Sequence, residues 1–219
     1  MKKVLKGTLL FLLIVALMLT LFSCSTAALW QEQREEERDR DATIGQANGS
    51  ERYIVYAALD SSGNLIPSDS ETATAAYAVV GYIGMVAELV IPATYKDATL
   101  NASACNVTKV LVCDADGTSY GAYKCSVNGA AYTGNYDRLV GNTVVTSIVF
   151  GSNVTYVGDG VCVGMVNVTS VKFASTTSVT LGQNAFAACP AITSVSFSCA
   201  AGNVTLNGNF AGLTPTYAS

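Results

Sequence analysis

The chain has 219 residues, 12 lysines and arginines against 16 acidic residues, a formal net charge of −4 and no histidine. The missing histidine excludes Ser-His-Asp and Cys-His catalysis and histidine-bound metal sites, so we expect no enzyme, no cofactor and no metal. The positive charges are concentrated in the first 40 residues. Because phosphate binding needs clustered lysine and arginine, we expect no nucleic-acid partner.

Residues 1–24 predict an export signal. Three lysines precede an apolar run from Thr8 to Ser23, which is the order found in secretory signal peptides. The run is shorter than the ~20 residues that a membrane-spanning helix needs, so a permanent transmembrane helix is the second choice.

The apolar run ends in Leu21-Phe22-Ser23-Cys24, which resembles a bacterial lipobox, although the bulky Phe22 departs from the pattern. The resemblance implies diacylglycerol attachment at Cys24 and therefore a bacterial lipoprotein, exported and membrane-anchored at the cell surface or outer envelope. The alternative is an ordinary signal peptide that is cut after Ala27 or Ala28.

Residues 25–50 predict a solvated spacer. Gln, Glu, Arg and Asp dominate the stretch from Gln31 to Asp41, which has almost nothing apolar to bury. Such a segment stays solvated, and its first half can be helical through Glu/Arg pairs. It holds the folded part away from the membrane, or it has no role of its own.

From Arg52 onward the sequence predicts β structure, because Val, Thr and Tyr favour strands while Gly and Asn favour tight turns. A turn at residues 60–64 separates two short apolar segments, 53–56 and 65–66, and predicts an early hairpin. We assign residues 51–106 to an N-terminal β cap.

Internal repeats occupy residues 107–219. The pattern V-T-S-V-x-F starts at Val145, Val168 and Ile192, with offsets of 23 and 24 residues, and a fourth copy starts at Val107. Each of the three later copies is followed by a second apolar pair and one large residue. A period of this length is typical of a solenoid, in which Ile148, Val171 and Val195 would stack in one buried row.

The repeats resemble the BspA type of leucine-rich repeat, most closely in the Leu-Gly-Gln-Asn-Ala-Phe-Ala-Ala-Cys-Pro-Ala-Ile-Thr-Ser-Val run of residues 181–195. The resemblance covers about residues 77–213, and residues 77–84 and 89–95 are similar to the segment that opens many such arrays. Departures are Cys162 in place of a phenylalanine and Met165 in place of a cysteine. The resemblance implies a mostly β, leucine-rich-repeat-like solenoid of about four to five short coils. Residues 113–144 form an insert in this array.

The remaining cysteines leave two interpretations open. Cys162 and Cys189 fall where a repeat buries a side chain, which predicts free thiols, whereas Cys105, Cys113 and Cys125 are close enough in sequence for a bridge. Asp114-Ala-Asp116-Gly117 lacks the other ligands of a calcium loop and predicts a turn. The recurring Asn-Val-Thr sequons predict turn and strand chemistry in place of glycosylation.

The candidate binding site is a ladder of outward strand positions rich in hydroxyl groups. Its members are Thr146, Ser147, Val149, Thr169, Ser170, Lys172, Thr193, Ser194 and Ser196. The ladder suits a protein or glycan ligand, or its hydroxyls only stabilise the sheet.

Two functions follow from these features. The first, implied by the resemblance, is an envelope-anchored interaction or adhesion protein that captures a ligand at the cell surface. The second is a structural envelope component that self-associates, because the chain stops shortly after its last repeat without an evident polar cap.

Overall fold

The computed structural model describes residues 49–97, 103–112, 122–134 and 139–218. The predicted signal peptide, Cys24, the spacer up to residue 48, Cys113 and the Asp114–Asp116 turn lie outside these residues. Within them the protein is mostly β, as predicted, and its helical elements are short 3-10 turns at Glu51–Tyr53 and Ala201–Asn203. The strands are β1 (Ile54–Leu59), β2 (Ala76–Tyr82), β3 (Glu88–Ile91), β4 (Thr94–Tyr95), β5 (Cys105–Val110), β6 (Cys125–Val127), β7 (Ala130–Ala131), β8 (Ser147–Phe150), β9 (Tyr156–Val157), β10 (Ser170–Phe173), β11 (Val179–Leu181), β12 (Ser194–Phe197), β13 (Val204–Thr205) and β14 (Thr216–Tyr217).

The strands form two open sheets. The first sheet has the order β13-β11-β9-β5-β2-β1-β6-β7, with β4 pairing on β5. Its β7-β6-β1-β2 end is antiparallel, whereas the pairs from β2 to β13 are parallel. The second sheet has the order β14-β12-β10-β8-β3 and is parallel throughout. Neither sheet closes on itself.

The repeats distribute their strands evenly between the sheets. From β8 onward, each repeat places its V-T-S-V-x-F strand in the second sheet and its second apolar pair in the first sheet. Ile148, Val171 and Val195 pair in register, and Leu89 precedes them in the same row. These side chains share a row because the sequence spacing and the strand register repeat together.

One repeat assignment is wrong. The segment 107–112 belongs to β5, which lies in the first sheet between β2 and β9, not below β8 in the second sheet. That place belongs to β3, whose Leu89 and Ile91 pair with Ile148 and Phe150. The segment at Val107 has the repeat spacing, but β3 has the same apolar alternation, and β3 is the strand that pairs with β8 in the second sheet. The predicted boundary between residues 106 and 107 falls inside β5.

The core between the two sheets contains a column of stacked aromatic rings. Phe150 and Phe173 stack with ring centroids 4.5 Å apart, and Phe173 and Phe197 stack at 4.7 Å. Tyr217 continues the column at 5.4 Å from Phe197. Every ring comes from the same position of successive strands, so parallel pairing in register is what brings them face to face.

The N-terminal part of the first sheet is covered on both faces. Strand β1 is buried along its whole length, because its alternate residues contribute to two different clusters. The predicted hairpin turn is present: the Asp60 N–H donates to the Asn64 carbonyl at 2.9 Å, and Leu59 pairs with Leu65. Part of the predicted insert forms β6 and β7, which extend the sheet beyond β1.

Candidate functional site

The outward surface of the second sheet is the candidate site, and we call it the outward face. Strand register arranges it in two rows that cross the sheet. The first row is Glu88, Ser147, Ser170 and Ser194, and the second is Val90, Val149, Lys172, Ser196 and Thr216. In β3, β8, β10 and β12 the inward neighbours of these residues are buried, so the alternation of each of these strands fixes which side chains point outward.

All nine predicted ladder residues lie on or beside this face, and none of them is buried. The sequence reasoning missed Glu88, Val90 and Thr216, which complete the two rows. The signal for Glu88 and Val90 was the apolar alternation of Leu89 and Ile91, which places the residues between them on the opposite side of a strand.

The three threonines of the ladder bond to the sheet itself. The Thr169 hydroxyl donates to the Thr146 carbonyl at 3.1 Å, and the Thr193 hydroxyl donates to the Thr169 carbonyl at 3.3 Å. The Thr146 hydroxyl reaches the Ala87 carbonyl at 3.4 Å. These hydroxyls therefore stabilise the stacking of successive strands, and the serines, Val149 and Lys172 carry the rest of the surface.

Charge on the outward face is sparse. Glu88 and Lys172 are the only charged residues in its two rows, and both are exposed. They stand two strands apart, on β3 and β10, and in different rows. A flat, neutral surface of this kind suits many weak polar and apolar contacts more than the recognition of a highly charged ligand.

The corner asparagines have structural partners. Asn153 donates through Nδ2 to the Ala93 carbonyl at 3.0 Å and to Asn106 Oδ1 at 2.9 Å. Asn167 donates to the Thr143 carbonyl at 2.7 Å. Because the Nδ2 atom of each of these two sequons bonds a neighbouring strand or turn, the contacts favour turn chemistry over glycan attachment.

The two repeat cysteines, Cys162 and Cys189, are free thiols, as predicted. Cys162 is fully buried, and this burial raises the pKa of its thiol far above the usual range. Cys189 is partly exposed, donates to the Cys162 carbonyl at 3.0 Å, and also has a pKa raised by burial. A bridge involving Cys113 concerns a residue outside the described ranges and stays a prediction.

Three buried tyrosines from β1, β2 and β4 form a cluster in the core. Tyr56 stacks on Tyr95 with centroids 3.7 Å apart, and Tyr77 meets Tyr95 edge-on at 5.0 Å. Burial raises the pKa of Tyr95 to about 12 and shifts the pKa of Tyr56 and Tyr77 in the same direction. These phenols are neutral packing groups at ordinary pH, with the Tyr95 oxygen accepting the Gly129 N–H at 2.8 Å.

The described residues contain no group of three or more histidine, cysteine or acidic side chains placed to hold a metal ion. In the same part of the chain, no helix has the length and apolar character required to cross a bilayer.

Comparison with known proteins gives no relative: no protein-family model matches the chain, and no curated protein or solved structure matches it significantly.

Proposed function

We propose that this chain is an envelope-anchored binding protein. In this proposal, a BspA-type leucine-rich-repeat solenoid presents the outward face to a protein or glycan ligand, and no catalysis takes place. The observation that carries it is the in-register row of β3, β8, β10 and β12, which spreads short polar side chains over a continuous surface. Repeat arrays bind through broad surfaces of this kind.

The alternation of buried and outward residues supports the solenoid assignment. Each repeat supplies one strand to each sheet, and the three phenylalanine rings of the aromatic column are buried between them. One coil cannot bury its apolar edge alone, whereas stacked coils cover each other at roughly 1.5–3 kcal/mol for each fully buried large apolar side chain. The outward side chains contribute little to this core and are available to a ligand.

A binding screen tests the proposal. Full-length protein, extracted in mild detergent and immobilised, is tested against matrix proteins, partner-cell surfaces and polysaccharides. We expect a ligand whose affinity falls about tenfold or more in the double variant Ser170→Arg/Ser194→Arg, because two bulky charges then occupy the centre of the outward face.

The matched control is the double variant Thr176→Arg/Ser178→Arg, which adds the same charge in an exposed turn away from the outward face. Equal losses of affinity in the two double variants would show that net charge matters and the outward face does not. Absence of any ligand above background would remove the binding function.

Lipid anchoring at Cys24 is a separate part of the proposal. Cells that produce the full chain are fed labelled palmitate, and the label on the wild-type protein is compared with that on Cys24→Ala. We expect label on the wild type alone, because the cysteine sulfur is the attachment point of the diacylglycerol. Persistent label on the variant would assign the anchor elsewhere.

Self-association is the second candidate function. Within the described chain, β14 pairs only with β12 and β13 pairs only with β11, and Tyr217 is 36 % exposed while stacking on Phe197. Open strand edges are templates for pairing with another copy. Sedimentation of the detergent-extracted protein over a range of concentrations tests this, and a monomer at the highest concentration rules it out.

A further inference from the structure

Two successive turns between the sheets stack through backbone hydrogen bonds. The turn of residues 160–165 donates three such bonds to the turn of residues 183–189: Gly160 N–H to the Gln183 carbonyl at 3.0 Å, Cys162 to Ala185 at 2.8 Å, and Gly164 to Ala187 at 2.9 Å. These bonds hold the two turns side by side.

The next pair of turns is joined differently. No backbone hydrogen bond connects residues 184–189 with residues 208–213. Instead, Asn209 accepts the Phe186 N–H through Oδ1 at 2.9 Å, and its Nδ2 donates to the Gly182 and Leu206 carbonyls at 2.8 and 2.6 Å. Asn209 occupies the position that Ala185 has one repeat earlier, so a buried side-chain amide replaces the backbone contacts and parts the turns.

A cleft of about 480 Å³ opens where the turns part. Most of its lining side chains are apolar, but polar atoms provide more than half of its exposed wall, and Cys189 is a partly exposed residue of that wall. The lining includes Phe186, Cys189, Ile192, Phe210, Ala211 and Leu213. No lining residue carries a charge, and the volume falls within the range of small-molecule sites, about 300–1,000 Å³.

The cleft also offers a hydrogen-bond donor. The Ala188 N–H has no partner within the described residues, whereas the equivalent Gly164 N–H, one repeat earlier, donates to the Ala187 carbonyl. Ala188 lines the cleft. A ligand that carries a carbonyl or another neutral acceptor would satisfy this group, and a charged ligand would lose its hydration without finding a counter-charge.

We propose that this cleft binds a small uncharged molecule that combines an aromatic or branched aliphatic part with neutral hydrogen-bonding groups. The apolar side chains contact the apolar part, and polar groups of the wall, among them the Ala188 N–H, bond to the rest. This site lies in the turns between the sheets and includes no residue of the outward face. A negative result for the cleft therefore leaves the proposed binding function of the outward face unaffected, and the reverse is also true.

The test uses the neutral dye 6-propionyl-2-dimethylaminonaphthalene, which has an aromatic body, a carbonyl acceptor and environment-sensitive fluorescence. It is titrated into the detergent-extracted full chain, into Ala211→Phe, which fills the cleft, and into Ala201→Phe, which adds the same ring to an exposed turn outside it. A titration of the dye into the same detergent without protein is subtracted from all three, which removes the signal of dye bound to detergent.

We expect wild type and Ala201→Phe to bind the dye with a Kd on the order of 100 µM. In Ala211→Phe the affinity falls at least tenfold. The anionic dye 1-anilinonaphthalene-8-sulfonate gives the same signal with all three proteins, because the cleft does not accept its charge. Equal binding of the neutral dye to wild type and Ala211→Phe would overturn the proposal.

A second measurement needs no variant. Alkylation of Cys189 by N-ethylmaleimide, followed by peptide mass spectrometry, is compared with and without the neutral dye. We expect the dye to slow alkylation several-fold, because the thiol is in the wall of the cleft. An unchanged rate would place the dye elsewhere and contradict the assignment.

Discussion

Replacing Phe173 with alanine tests the buried aromatic column directly. Phe173 is fully buried and lies between Phe150 and Phe197, with its ring parallel to both at centroid distances of 4.5 and 4.7 Å. Removing its ring leaves a cavity at the centre of the column and takes away one partner from each neighbouring ring.

The expected loss follows from these contacts. Truncating a buried phenylalanine costs about 3–5 kcal/mol through lost transfer energy and the cavity left behind. Stacked aromatic pairs add about 0.5–1.5 kcal/mol beyond burial, although part of this is already counted in the first figure. We therefore expect Phe173→Ala to lower the free energy of unfolding by about 4 kcal/mol, and Tm by roughly 8–16 °C.

Urea and thermal unfolding followed by circular dichroism measure this loss. Lys172→Ala is the matched control, because Lys172 neighbours Phe173 on the same strand but is exposed on the opposite side. Its effect should be within about 0.5 kcal/mol of zero. If Phe173→Ala changed stability by less than about 1 kcal/mol, or no more than Lys172→Ala, the column would not be the stabilising core described above.

Three further changes test other contacts. Asn209→Ala removes three hydrogen bonds and should lower the free energy of unfolding by about 3 kcal/mol in urea titrations; an unchanged stability would show that these bonds do not hold the last two turns together. Gly182→Ala places a Cβ 2.5 Å from the Asp159 backbone nitrogen and should lower the free energy of unfolding by about 1–3 kcal/mol. Gly202→Ala is the control, because the space around Gly202 is open, and it should lower this free energy by less than about 1 kcal/mol. Equal changes of Tm in the two variants would refute the steric reasoning. Burial raises the pKa of Tyr95 from the usual 10.0 to about 12, so its stabilising effect is complete below pH 10 and is lost as the pH rises through about 12. The unfolding free energy of the wild type should therefore fall more steeply over this range than that of Tyr95→Phe, and an identical fall in the two proteins would disprove the assignment.

The repeat spacing was sufficient to predict the stacked row of Ile148, Val171 and Val195. Residues at the 23- and 24-residue offsets pair in register on neighbouring strands, and the apolar residues alternate along each strand as predicted. The spacing was not sufficient to choose between Val107 and Leu89 as the first member of the array. Both segments have the required apolar spacing, and only pairing with distant strands distinguishes them. The outward face was therefore predicted in its centre and missed at its β3 and β14 edges.

The cleft had no signal that the sequence reasoning could use. Asn209 is one asparagine among many in turns, where its amide usually serves local capping. Its contacts with Phe186 and Gly182 join residues more than 20 positions apart and exist only because two repeats are stacked.

The sequence by itself determined that the described part of the chain is mostly β and that the V-T-S-V-x-F strand of each repeat alternates buried and outward side chains, because these properties depend on local propensity and on a period of two along a strand. The tertiary structure decided which strand begins each sheet, which hydroxyls donate hydrogen bonds to neighbouring carbonyls, and where two successive turns lack backbone hydrogen bonds to each other. These outcomes depend on pairing between distant segments, and many pairings satisfy the same local pattern until the core is packed.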